Sequence, residues 1–261
     1  MTSTGSGLAV PDWPLSYGSL FPPMVGGVFY EHGHRIVAAL VGILTLCLTV
    51  WLSVAEERRW VRRLGFCALG CVIAQGVVGG LTVLFFLPRV LSMSHAVLAQ
   101  TFFIFTLFIA YSQSSECRLT EKQATSPPVL KLSLLLSLLV YVQLILGAAM
   151  RHAGSDPAVP NFLFFIHLLG AAVMIVMAGC LNVVCKKVYG EKNNIMVTLS
   201  HLDLLILVQL LLGVSTVLTQ KSAAVASFHV VTGASVLGVS MLLLLRVSPA
   251  SWAQTKRFLL A

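Results

Sequence analysis

Seven stretches of apolar residues follow one another along the chain: Arg35–Val54, Leu64–Leu87, Val90–Tyr111, Val129–Met150, Phe162–Val184, Ile195–Leu218 and Ala223–Arg246. Each is near or above the roughly 20 residues that a helix needs to cross a bilayer, and each is nearly free of charge. The segments between them hold the prolines, charges and polar residues of water-facing loops. The pattern predicts an all-α polytopic membrane protein.

Composition narrows this further. Of 261 residues, 57% are apolar and 10% charged, and the mean hydropathy is +0.92. Soluble domains carry about 25% charged residues. A soluble globular enzyme and a disordered chain are both excluded, and the loops leave no room for a large soluble domain. The net charge of +8 sorts by side. Thirteen cations lie at one set of span ends: Arg58, Arg59, Arg62, Arg63, Arg118, Lys122, Lys131, Lys186, Lys187, Lys192, Arg246, Lys256 and Arg257. Only four, Arg35, Arg89, Arg151 and Lys221, lie at the other. The bias puts the first set in the cytoplasm, so in a plasma membrane the C-terminus is inside and the N-terminus outside. The charge is thereby explained without nucleic acid. Met1–Pro23 has neither the basic region nor the apolar core of a signal peptide and reads as an outer loop. The six cysteines form no CxxC or CxxCH motif, and Cys67 and Cys71 read as small packing residues.

The chain repeats itself. Gln75–Val83 matches Gln209–Val217 at an offset of 134, and His95 falls on His229 at the same offset. Upstream, Gly5-Ser6 and Val10-Pro11 match Gly154-Ser155 and Val159-Pro160 at 149, and His34 pairs with His167 at 133. Corresponding loops share a side, so the repeat is parallel, about an axis near the membrane normal. It divides the chain into a first half (1–115), a cytoplasmic linker (116–128), a second half (129–246) and a cytoplasmic tail (247–261). The expected fold is two pseudo-symmetric helix bundles. The second half has four spans and the first three, so the repeat leads to the expectation of a further span before Thr2.

Seven histidines are present, and four of them obey the repeat: His34, His95, His167 and His229. All four lie near the outer ends of spans, where ionisable groups are costly and tend to be functional. Two helices of a bundle, each giving one inward imidazole, form a bis-histidine haem site. Zinc is the rival assignment, but it would want a third or fourth ligand, and no acid or thiol stands beside His167 or His229. His152 and His201 read as non-ligands. The two halves differ at one point. The first reads Glu31-His32-Gly33-His34-Arg35, with the acid three residues before the imidazole and on its face if the helix extends that far. The second has Phe164 in that place. A carboxylate beside a haem can take a proton or stabilise a developing positive charge, and Arg35 can face a haem propionate. The alternative is that Glu31 caps the helix or pairs with Arg35.

These residues resemble the haem A synthase family. The likeness rests on Gly5-Ser6-Gly7-Leu8, Pro11-Asp12-Trp13-Pro14, Glu31-His32-Gly33-His34-Arg35, Ser94-His95-Ala96, His167-Leu168-Leu169-Gly170 and Phe228-His229, and it covers nearly the whole chain. It implies a protein of two four-helix bundles (3 + 4 spans in this sequence, 4 + 4 in the family) that oxidises the C8 methyl of haem O to the formyl of haem A for terminal oxidases. It further implies Glu31 as the catalytic acid, His34 and His95 as ligands of the substrate haem, and His167 and His229 as ligands of a haem b. The partners implied are a haem O synthase and oxidase assembly factors, in a lipid membrane. The sequence departs from the family in lacking its first helix, in carrying Thr2 where an arginine is usual, and in having no cysteine in the outer segments. Two other functions fit parts of the pattern. A dihaem b-type electron-transfer cytochrome needs the four histidines but not Glu31. A transporter would favour the repeat but wants broken helices and mid-membrane charges.

Overall fold

The computed structural model describes residues 6–119, 126–152, 158–191 and 193–248. Expectations at Thr2, Gly5, Lys122, Gly154, Ser155, Lys192, Lys256 and Arg257, and at the side chains of Arg118, Val159 and Pro160, fall outside the described residues. The described chain is helical throughout: α1 (Gly26–Ala55), α2 (Arg59–Leu84), α3 (Arg89–Gln113), a short α4 (Ser115–Leu119), α5 (Pro127–Arg151), α6 (Ala158–Tyr189), α7 (Asn194–Leu218) and α8 (Ala223–Val247). All but α4 are long and apolar enough to cross a membrane. Their apolar side chains are largely outward-facing. On α7, Leu204, Leu207, Leu211, Val214 and Leu218 form one exposed stripe at helical spacing. In water such a stripe would be costly; in lipid it is the expected surface. The protein is a polytopic membrane protein.

The helices differ from the apolar runs mainly at their ends. α1 begins nine residues before Arg35, because Glu31 and Arg35 neutralise one another inside the helix and let it run on through a polar turn. α2 stops at Leu84, short of Leu87. Phe86 and Leu87 take left-handed φ of 58° and 59°, and the Leu87 N–H returns to the Thr82 carbonyl. Gln220 and Lys221, 134 residues on, take the same conformation after α7, with φ of 50° and 68°. The repeat therefore extends to the turn backbone.

Contacts divide the chain into two compact units, Met1–Thr106 with Lys221–Ala224, and Leu107–Gln220 with Val225–Ala261. In the first, α1 packs on α2 through small residues. Thr49 Oγ1 donates to the Gly65 carbonyl at 3.0 Å, and a Cβ at Gly65 would stand 3.1 Å from Leu52. Cys71 Sγ lies 3.5 Å from the Leu98 carbonyl and ties α2 to α3. In the second unit α5 packs on α6, and Asn182 of α6 donates to both carboxylate oxygens of Asp203 on α7. At one end of that unit, Arg246 of α8 pairs with Glu116 at 2.7 Å and donates to the Thr198 hydroxyl and the Asn194 carbonyl.

Candidate functional site

The segment before α1 is folded rather than loose. Ser16 and Ser19 exchange two backbone hydrogen bonds of 3.0 Å. The Asp12 carboxylate accepts the amides of Tyr17 and Gly18 at 2.7 and 2.8 Å, and those two N–H groups, Gly18 foremost, hold its carboxyl below the usual carboxylate range. The segment is fastened to α1 by an ionic knot. Glu31 is fully buried. Its Oε1 accepts from Arg35 Nη2 at 2.7 Å, one helical turn on, and its Oε2 accepts from the Val10 amide at 2.9 Å. Arg35 also donates to the carbonyls of Asp12 (2.8 Å), Leu15 (2.7 Å) and Val10 (3.5 Å), which leaves its Nε–H for any further partner. A buried ion pair is sustained only when extra hydrogen bonds satisfy both ions, and here the loop backbone supplies them. Beside it, buried His32 meets the Ser16 hydroxyl through Nδ1 at 2.8 Å.

His34, on α1 between these two ions in sequence, is exposed and faces His95 of α3. The ring centroids are 6.5 Å apart and the planes 72° to one another. Two imidazoles bound to one metal at about 2 Å put their ring centres about 6 Å apart. The pair thus has the spacing of a bis-imidazole metal site. His95 is held from α2: Gln75 Nε2 lies 3.4 Å from its Nε2, and a Cβ at Gly79 would be 2.9 Å from its ring. One residue further on, the Trp13 indole fills the place of a Cβ at Gly80. The outer segment, the acid and the histidine pair therefore belong to one locus.

The second unit repeats the frame without the acid. His229 of α8 meets Gln209 Nε2 of α7 at 3.4 Å, and a Cβ at Gly213 would stand 3.2 Å from its ring. His167 of α6 lies within electrostatic range of His229 and against Gly147 of α5. Nδ1 of His95, His167 and His229 are all buried without a hydrogen-bond partner. Phe164 occupies the place of Glu31, with Phe165 packed edge-on against it at 6.1 Å. No group of three or more His, Cys, Asp or Glu side chains converges among the described residues. Two imidazoles are what a macrocycle, which supplies the remaining ligands itself, would require of a protein. His152 caps the end of α5 and His201 lies exposed on α7, apart from either pair.

The sequence alone assigns no role to several residues of the site. Val10 contributes only its backbone. Ser16 and Trp13 reach the site through the fold of the outer segment. Gln75, Gln143 and Gln209 carried a signal that could have found them: each is followed four residues later by glycine and 20 or 24 residues later by a paired histidine.

Fold and site together define a helical membrane protein with two histidine-pair centres, only one of which has an acid beside it. The sequence pattern of the COX15-CtaA family, described as cytochrome oxidase assembly protein, matches residues 26–162, and the chain belongs to that family. Among its relatives is a protein named heme A synthase from Symbiobacterium thermophilum, 28% identical over 68% of this chain and 66% of its own length. Proteins of the same name from Exiguobacterium sibiricum (30% identical, 60% of this chain, 53% of the relative) and Halalkalibacterium halodurans (25%, 87% and 83%) are similar too. The chain thus spans just under two thirds of the first relative and about half of the second.

Proposed function

We propose that the protein is a haem O-oxidising membrane oxidoreductase, taking the C8 methyl of haem O to the formyl of haem A for terminal oxidase assembly. The observation that carries this is the asymmetry between two otherwise equivalent centres: a fully buried Glu31 stands one helical turn from His34 in one, and Phe164 replaces it in the other. In this reading the first half, 1–115, binds the substrate haem through His34 and His95. The second half, 129–246, binds a haem b through His167 and His229. The donor chemistry fits both, as paired imidazoles with buried unpaired nitrogens in apolar surroundings. When bound, haem b supplies electron transfer.

The chain's own residues do the rest. His34 and His95 fix the substrate ring beneath the outer segment. Glu31 uses one acceptor position of each oxygen on Val10 and Arg35, so a lone pair on each remains to take a proton or hold a water. Arg35 keeps that carboxylate in one orientation, and its Nε–H is the donor left for a haem propionate. Trp13 and the folded segment 6–25 shield the site from the outer side. The supporting cell biology follows from this reading: a plasma membrane location with the N-terminus outside, haem O supplied by a haem O synthase, and delivery to oxidase assembly factors.

The test is Glu31→Gln in cells expressing the full protein. We expect both haem centres to persist in the optical spectrum while haem A falls and haem O accumulates, by the 10²- to 10⁴-fold typical of a lost acid–base group. Normal haem A with Gln at this position would remove Glu31 from the chemistry. Haem b alone in both centres, by pyridine haemochrome analysis, would instead favour a dihaem electron-transfer cytochrome.

A further inference from the structure

The three glutamine–glycine pairs are the least explained polar feature of the spans. Gln75/Gly79 on α2, Gln143/Gly147 on α5 and Gln209/Gly213 on α7 share a spacing of four, which puts both members on one helix face. Each pair looks onto a histidine of the next long helix: His95, His167 and His229 in turn. In every case the glutamine backbone also faces the ring, without reaching hydrogen-bond geometry at Nδ1. Packing alone does not account for this. Oε1 of all three glutamines is buried and unpaired, and in Gln143 Nε2 is as well. A leucine would fill the space without an orphaned amide. Nor are these simply the glycines of a crowded helix: Gly76, on the same α2, has open space where a Cβ would be.

We propose that the Gln-x-x-x-Gly stretches of α2 and α7 are positioning devices for the imidazole of the following helix, with the α5 stretch as the loose member of the set. In these two the glycine admits the ring against the helix backbone, and the glutamine also sets its tautomer. The Nε2 amide of Gln75 and Gln209 is a donor only, so the imidazole Nε2 that it meets is the acceptor and the proton lies on Nδ1. That tautomer leaves Nδ1–H beside the glutamine backbone, on the side where a ligating histidine has its outer partner, and the Nε2 lone pair that the amide holds is the one a metal would take, so the glutamine pre-sets the ring and gives way on ligation. The inference rests on the haem-ligand reading of these histidines.

The geometry grades the expected effects. An added methyl would meet the ring at 2.9 Å at Gly79, at 3.2 Å at Gly213 and at 3.8 Å at Gly147. Full-length protein, purified in detergent and depleted of haem, would be titrated with iron protoporphyrin IX, and the ferric low-spin electron paramagnetic resonance signal recorded. We expect Gly79→Ala to weaken binding at its pair by about ten-fold, the lower end for a lost outer partner. Gly213→Ala should weaken its own pair by less and shift the low-spin signal. Gly147→Ala and the control Gly76→Ala should match the parent. Gln209→Met, which keeps the volume and removes the donor, should shift the His167/His229 signal. In each variant the signal of the other pair reports that the protein has folded. Equal losses in Gly76→Ala and Gly79→Ala, or a parental signal and affinity in both Gly79→Ala and Gln209→Met, would overturn the proposal. His229→Ala tests the underlying reading separately, since an unchanged spectrum there would remove the ligand assignment itself.

Discussion

At the scale of single residues, the outer segment is held by two anions in different settings. Glu31 is buried, so removing its partner strands a charge. Arg35→Met should destabilise the protein by about 3–5 kcal/mol, the typical result of breaking a buried pair from one side, seen as a lowered melting temperature in detergent. An unchanged melting temperature would show that the loop backbone alone satisfies Glu31. Asp12 is half-buried, and its effect is one of pH. Its folded pKa lies below the ordinary 3.8, so its contribution is fully present above that value and is lost as the pH falls through the lower, folded value. Amide exchange at Tyr17 and Gly18 should therefore be equally protected at pH 7 and pH 5 and speed up only below about pH 4, beyond the intrinsic change. Acceleration already at pH 5 would show that the carboxylate does not hold the turn. The four histidines stand out in the sequence because the repeat matches them, and Glu31 because the repeat breaks at Phe164. The backbone partners of Glu31 and Arg35 were not, since Val10, Asp12 and Leu15 act through atoms that every residue carries.

At the scale of elements, hydropathy found every long helix and misplaced the ends where chemistry or turn geometry intervenes. The apolar run of α1 starts at Arg35, but the helix carries on outward through Glu31 to Gly26, since the acid's charge is met inside the fold and not by water. The end of α2 was overrun because its turn, Phe85-Phe86-Leu87-Pro88, has no glycine or asparagine to mark the left-handed positions. The equivalent turn after α7 has polar Thr219, Gln220 and Lys221, and there the sequence boundary at Leu218 coincides with the helix end. Gln143 is hidden for a related reason: the repeat between halves runs at offsets near 134, whereas the spacing from Gln143 to Gln209 lies within the second half. The seating of the outer segment on α2 also has a structural test. A Cβ at Gly80 would stand 2.5 Å from the Trp13 ring, too close for any rearrangement short of moving the indole. Gly80→Ala should expel Trp13 and red-shift the part of the tryptophan fluorescence that Trp13→Phe removes. Identical emission from the variant and the parent would mean that the segment is not seated there.

At the scale of the whole molecule, the symmetry of the frame and the asymmetry of charge answer different questions. The repeat reaches down to the left-handed turns at Phe86-Leu87 and Gln220-Lys221, and a parallel repeat would make corresponding ends of the two halves face the same way. Which way they face in the proposed topology rests on the cations. Thirteen Lys and Arg against four is a bias that the membrane reads at insertion, because each cation is worth about 1 kcal/mol near an anionic cytoplasmic leaflet and costs several times that to carry through the bilayer centre. The arginines of the α1–α2 turn, Arg58, Arg59, Arg62 and Arg63, lie at the opposite end of α1 from Glu31 and His34, so in the proposed topology the catalytic centre opens to the outside. A membrane-impermeant maleimide can check this against the background of the six native cysteines. Phe21→Cys, at a position 89% exposed in the outer segment, should label in intact cells. Glu57→Cys, exposed in the α1–α2 turn, should label only after the membrane is opened. The reverse pattern would invert the topology, turn the haem centres toward the cytoplasm, and require that the cation bias be outweighed during insertion.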